Sequence, residues 1–164
     1  MADAVRGVPD AATAYRQLAP AVLAYLRGQA AEDPEDLLGE VFLQVARDLR
    51  RFQGDETDLR RWVFSIARNR VIDAGRRRRR RPRALGPPPE RPAPDQPPPI
   101  EPALLAALAE LTDEQREVVV LRFIADLPSE EVAVIVDRPL TAVKALQRRA
   151  IARLQTLVSP ELLG

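Results

Sequence analysis

The chain has 164 residues, 46% of them hydrophobic and 30% charged, with 25 basic against 24 acidic side chains and a formal net charge of +1. That length holds one or two small domains, and near-neutrality means that any nucleic-acid surface must arise from local segregation of charge. Cys and His are both absent, which removes disulfides, thiol nucleophiles, imidazole bases and the usual zinc ligands together. The first residues have no apolar signal-like core and no run is long enough to span a bilayer, so a cytoplasmic protein without membrane insertion is expected.

Residues 1–10 show no periodicity and are expected to be disordered. From Ala11 to about Gly28, Tyr15, Leu18, Val22, Leu23 and Leu26 recur at helical spacing, with Pro20 expected to kink or divide the helix. Pro34 fits the first turn of a second helix running to about Arg51, with Leu37, Leu38, Val41, Phe42, Val45 and Leu49 inward. Phe52 to Asp58 reads as a loop. A third helix follows from Leu59 to about Arg77, burying Trp62, Val63, Ile66 and Ala67. No segment alternates at period two, so the fold class is all-α.

Charge separates these helices. Ala31 to Asp48 carries six acids and a single Arg47, whereas Leu59 to Arg83 carries eleven arginines and only Asp73. An acidic helix beside a very basic one points to two partners, a basic protein surface and a nucleic-acid backbone. Trp62, Phe64 and Phe52 interleave with Arg60, Arg61, Arg68 and Asn69. Aromatic and guanidinium planes stack unpaired bases, and an Asn amide reads a base edge. For Trp62, core packing and base stacking both stand open, since each face of the indole can serve one of them.

Ten of the 16 prolines fall between Pro82 and Pro102, so 82–102 is read as an extended linker between a domain at 11–81 and another at 103–160. At about 3.1 Å per residue such a tether reaches on the order of 55 Å, far more than two touching domains need.

In the second domain Thr112 is placed to cap a helix, with Asp113 and Glu114 in its first turn. The run Val118, Val119, Val120, Leu121, Phe123, Ile124 is expected in the core. Ser129 starts a short helix burying Val132, Ile135 and Val136. Asp137-Arg138-Pro139 turns the chain, and Thr141 is expected to cap a last helix with Val143, Leu146, Ala150, Leu154 and Leu157 on its apolar stripe. Its opposite face carries Thr141, Lys144, Ala145, Arg148 and Arg149. Two short helices joined by a tight turn describe a helix-turn-helix, whose second helix enters the major groove. From Arg138 to Arg153 there are five cations and no acid, while Glu110 to Asp137 has eight acids against two arginines. An ordinary helix at the end of a bundle is the competing reading, and the turn signals favour DNA.

The runs PEDLLGEVFLQVARDL and FQGDETDLRRWVFSIARNRVIDAGRRR resemble region 2 of the extracytoplasmic-function (ECF) sigma factors of bacterial RNA polymerase. LTDEQREVVVLRFIADLPSEEVAVIVDRPLTAVKALQRRAIARL resembles their region 4. The resemblance implies a region 2-like bundle of three or four helices and a region 4-like helix-turn-helix, with no catalytic residues, no metal and no cofactor. It implies binding to core polymerase at its clamp coiled coil and flap, to promoter DNA and to an anti-sigma factor. Asp36, Glu40 and Phe42 fall where the family binds the clamp. Phe52, Gln53, Arg61, Trp62, Arg68, Asn69, Arg76 and Arg77 fall where it captures the −10 strand. Arg138, Thr141, Lys144, Ala145, Arg148 and Arg149 fall where it reads the −35 element. A stand-alone helix-turn-helix regulator of duplex DNA is the alternative, which leaves the acidic second helix without a purpose. A metal-dependent hydrolase using Asp36 and Glu40 is a more distant one.

Overall fold

The computed structural model describes residues 8–80 and 100–158. Among these residues there are seven α-helices and no strand. Most of the expected disordered N-terminus and nearly all of the expected linker lie outside them.

Helix α1 (Ala11–Gly28) starts on Asp10, whose carboxylate accepts the Thr13 N–H at 2.8 Å. That bond holds the Asp10 carboxyl below the usual carboxylate range. Pro20 does not divide α1, because the buried face from Ala14 and Ala19 to Leu26 is gripped on both sides of it. The helix closes on Ala30, which takes a left-handed φ of 56° while Ala31 N–H bonds to Leu26 C=O. Helix α2 (Pro34–Asp48) is capped by Asp33, which accepts from Asp36 N–H at 3.0 Å, and Leu49–Arg51 tightens into a 3₁₀ turn.

Helix α3 (Glu56–Arg80) begins earlier than the expected Leu59. Asp55 and Asp58 cap each other's backbone, Asp58 N–H to Asp55 at 2.9 Å and Asp55 N–H to Asp58 at 3.0 Å. Gly54 supplies the preceding turn at φ 147°, where a Cβ would stand 2.6 Å from that of Asp58. A carboxylate that both caps and is capped carries a helix start through what composition alone marks as loop.

The second bundle opens with α4 (Pro102–Ala109), so the expected linker boundary at Pro102 is corrected: that proline is the first helical residue, where its missing N–H costs nothing. Helix α5 (Asp113–Val119) has the expected cap at Thr112, completed by Gln115 in a reciprocal capping box. It runs into a π turn (Val120–Ile124) closed by Ala125 N–H on Val120 C=O at 2.9 Å. The extra residue shifts the register, and Phe123, expected in the core, is left 49% exposed. Helices α6 (Ser129–Val136) and α7 (Leu140–Leu157) are joined at Asp137, which adopts the left-handed conformation at φ 55°. Asp137 therefore does the work usually given to glycine. Thr141 is not the cap of α7; the cap position is Pro139, with no side-chain bond, and Thr141 lies exposed in the first turn. The buried stripe of α7 ends at Leu154, since Leu157 is exposed.

The two bundles share one continuous apolar cluster. Helix α1 packs on the π turn and α3 packs on α6. The closest approach is at Gly28, where a Cβ would meet Val120 Cγ1 at 2.8 Å and Ile124 Cδ1 at 3.4 Å.

Candidate nucleic-acid interface

Helix α3 presents its candidate residues at heptad spacing. Trp62, Asn69 and Arg76 fall on one line, with Arg61 and Arg68 beside it. The loop before α3 folds back so that Phe52 stacks on Trp62, ring centroids 5.1 Å apart and planes at 23°. Both rings are half-buried, so an aromatic step sits at the edge of the domain with its rim in water. Gln53, Asn69, Arg76 and Arg77 are exposed. Arg61 stands 3.8 Å from Asp58.

Phe64 is a correction. It is fully buried and meets Tyr25 edge to face at 5.9 Å, so it belongs to the core and not to a base-stacking surface. Full burial of such a ring contributes about 1.5–3 kcal/mol to the fold.

Two arginines of α3 are already engaged by the second bundle. Arg60 grips Glu131 with both Nε and a terminal nitrogen, the Nε bond being 2.8 Å. That bond raises the Arg60 pKa above its ordinary value, against the opposing effect of burial. Glu131 is only 5% exposed, and it is the buried charged residue among those described. Arg68 Nε donates to Glu117 at 3.0 Å. Glu117 also faces the hydroxyl of Tyr25, whose phenol is pushed far above its usual range by burial and then by the carboxylate charge. Arg116 Nε completes the seam with a 3.2 Å bond to Gln29. A cleft of about 780 Å³ opens beside it, lined in part by Ala31, Arg68, Ala74, Gly75 and Glu117.

Helix α7 offers a different surface. Thr141, Lys144, Arg148 and Arg149 are exposed and Ala145 is half-buried, with 141, 144, 145 and 148 on one face. Arg138, ahead of α7, pairs with Glu114 of α5. Ser129 Oγ donates to Gln147 at 3.5 Å, so Gln147 ties α6 to α7 rather than pointing outward.

The acids of the stretch from Ala31 to Asp48 divide. Asp33 caps the helix, Glu35 pairs with Arg27 at 3.3 Å and Glu32 with Arg78 at 3.2 Å. Glu40 is half-exposed. Phe42 lies inward as its spacing predicts, 8% exposed and edge to face with Tyr15 at 5.0 Å, which corrects the clamp contact that the resemblance implies for it. The outward apolar residue is Leu43, 64% exposed. It lies between Gly39, with open space where a Cβ would be, and exposed Ala46. Leu43 is out of phase with the stripe 37, 38, 41, 42, 45, a signal that sequence reasoning passes over when it collects apolar residues without their phase.

Residues 13–81 match the family model Sigma-70 region 2, and residues 107–156 match Sigma-70, region 4. The chain is 35% identical over 144 residues to the ECF RNA polymerase sigma factor ShbA of Streptomyces griseus, a match covering 80% of this chain and 75% of that protein. It is 31% identical to the ECF RNA polymerase sigma factor RpoE of Cereibacter sphaeroides, covering 88% and 84%. Among solved structures, the sigma factor RpoE of Bartonella quintana, crystallised with the anti-sigma factor NepR, superposes with a TM-score of 0.72 at 23% identity over 89% of this chain and 94% of that one. The fold is thus that of a two-domain sigma factor. The chain belongs to the ECF RNA polymerase sigma factors, the subunits that bring core polymerase to promoters.

Proposed function

We propose that residues 11–81 bind the polymerase clamp and trap the −10 strand, while residues 103–160 read the −35 element. The observation that supports this most is one chain carrying two separate nucleic-acid faces. One is an aromatic step beside arginines on α3, suited to unpaired bases; the other is a cationic second helix of a helix-turn-helix, suited to a major groove. The stacked Phe52–Trp62 step offers its open rim to an extruded base, with Gln53 and Asn69 at the base edge and Arg61, Arg68, Arg76 and Arg77 on the backbone. No bond is made or broken by this chain. Trapping an extruded base offsets an unstacking cost of a few kcal/mol. On α7, Lys144, Arg148 and Arg149 face the groove with Ala145 and Thr141, and Arg138 reaches phosphate. On α2, Asp36 and Glu40 flank Leu43 as the clamp contact, and Gly39 lets a partner backbone come close. Among the described residues no helix is long and apolar enough to cross a membrane, and we place the chain in the cytoplasm with polymerase. The Bartonella neighbour's complex supports an anti-sigma factor as a further partner.

The test is run-off transcription with purified core polymerase on a pool of genomic promoters. Discrete start sites preceded by two shared sequence elements are expected. Asp36→Arg with Glu40→Arg is expected to abolish co-elution with core while circular dichroism stays unchanged. Retained co-elution would remove α2 from the clamp contact.

A further inference from the structure

The basic stretch on α3 contains one exception, and it stands on the face proposed for DNA. Between Leu59 and Arg83 the sequence holds eleven arginines and a single acid, Asp73. Asp73 lies four residues after Asn69 and three before Arg76, so the line of Trp62, Asn69 and Arg76 runs past its carboxylate. It is exposed. Other acids that meet this helix are bonded there. Asp58 accepts from Asp55 N–H, Glu32 holds Arg78, Glu117 holds Arg68 and Glu131 holds Arg60. The Asp73 carboxylate has no ion pair or hydrogen bond among the described residues, although Arg76 and Arg77 follow at the spacings where helical ion pairs form.

A free carboxylate on a surface for phosphates weakens the hold on every strand alike. An ionised carboxylate also only accepts hydrogen bonds. On a base it therefore matches an exocyclic amine, N4 of cytosine or N6 of adenine, and meets only oxygen and a methyl group on thymine. These amines are donors on an unpaired base and also in the major groove of a paired one, so the match survives strand opening. Eleven residues of helix, about 16 Å, separate Asp73 from Trp62. It thus addresses a base other than the one at the aromatic step. We propose that Asp73 is a specificity residue of the −10 surface, selecting an amine-bearing base, cytosine or adenine, over thymine at one position of the strand. This rests on the reading of α3 as the −10 surface. The arginines on either side supply the general attraction that the carboxylate removes, so what remains of its effect is a difference between bases.

The test uses holoenzyme assembled from core polymerase and the full-length chain, on a promoter whose −10 non-template strand is randomised. Bound fragments are sequenced. With the wild-type chain one position is expected to hold cytosine or adenine about tenfold over thymine. Asp73→Ala should flatten that position alone. Asp73→Asn, whose amide both accepts and donates, should admit thymine while cytosine and adenine remain. Asp73 is exposed, so neither substitution removes packing. Trp62→Ala, acting at the aromatic step, should disturb a different position. Equal gains for Asp73→Ala on every sequence would make the carboxylate a general repulsion and overturn the proposal. An unchanged base preference would overturn it too. In both cases the role of α3 stands if Trp62→Ala still alters the selection. If Trp62→Ala alters nothing either, α3 itself leaves the −10 surface.

Discussion

Helices α3 and α7 are both rich in cations, yet they stand in different relations to water. On α3 the arginines at 60 and 68 are held by carboxylates across the bundle contact. On α7, Lys144, Arg148 and Arg149 are exposed, and none of them makes an ion pair among the described residues. Counting cations along the sequence would rank α3 as the stronger electrostatic target, since residues 59–83 hold eleven against five in residues 138–153. Availability reverses that order. A cation's attraction for DNA is set by what it must first release, and acids placed two and three helices later in the chain determine that for α3.

The largest expected effect separates the aromatic residues of α3. Phe64→Ala should cost about 3–5 kcal/mol of stability, as for other buried rings, read from the denaturation midpoint. Trp62→Ala should cost clearly less stability but weaken single-strand binding by about 1–3 kcal/mol. Equal stability losses, with strand binding intact for Trp62→Ala, would move the Phe52–Trp62 step into the core.

Next comes the base-reading side of the comparison. Arg148→Ala should cost about 1–3 kcal/mol at one base pair of the upstream element if its guanidinium is bidentate to guanine. Fluorescence titration against a set of single-substitution duplexes checks this, and a uniform loss across the set would make Arg148 a phosphate contact. Lys144→Ala should act in that uniform way, lowering the salt slope of duplex binding by about one. In the free chain Arg68→Ala should change strand binding less than Lys144→Ala changes duplex binding, because Arg68 is already spent on Glu117. The reverse ranking would erase the distinction between the two helices.

The smallest effect lies at the end of α1, beside the seam. Ala30 pays for a left-handed conformation that glycine takes freely, so Ala30→Gly should stabilise the chain by about 0.5–1 kcal/mol after the entropy of the unfolded chain is counted. A thermal melt with no rise in Tm would show that the turn is held by its neighbours at no cost.

Much of this architecture was legible in the residues. The apolar spacing of α1, α2, α6 and α7, the cap at Thr112 and the helix start at Pro34 needed only local rules. The family match then came from motif order. Four kinds of feature were not legible. The early start of α3 depends on Asp55 and Asp58 bonding to each other's backbone, which composition reads as loop. The outward turn of Phe123 depends on a π turn, which breaks the 3.6-residue count on which core assignments rest. Phe64 stands among arginines in the sequence as a base-stacking residue would, and the clamp role of Phe42 comes from the family resemblance although its spacing already places it inward. Their burial is decided by Tyr15 and Tyr25, on a helix far earlier in the chain. Contacts such as Arg60 with Glu131, 71 residues apart, follow from packing and leave no local trace.

The seam between the bundles is made of guanidinium, carboxylate, amide and hydrocarbon, in a chain without a single imidazole or thiol. The contact therefore holds neither of the side chains, imidazole and thiol, whose ordinary chemistry answers mild acidification or oxidation. What it can register is competition: another polyanion at the arginines, another surface at Gly28 and Val120, or the ionic strength around both. Whatever message reaches this molecule at the seam must arrive as a body that touches it.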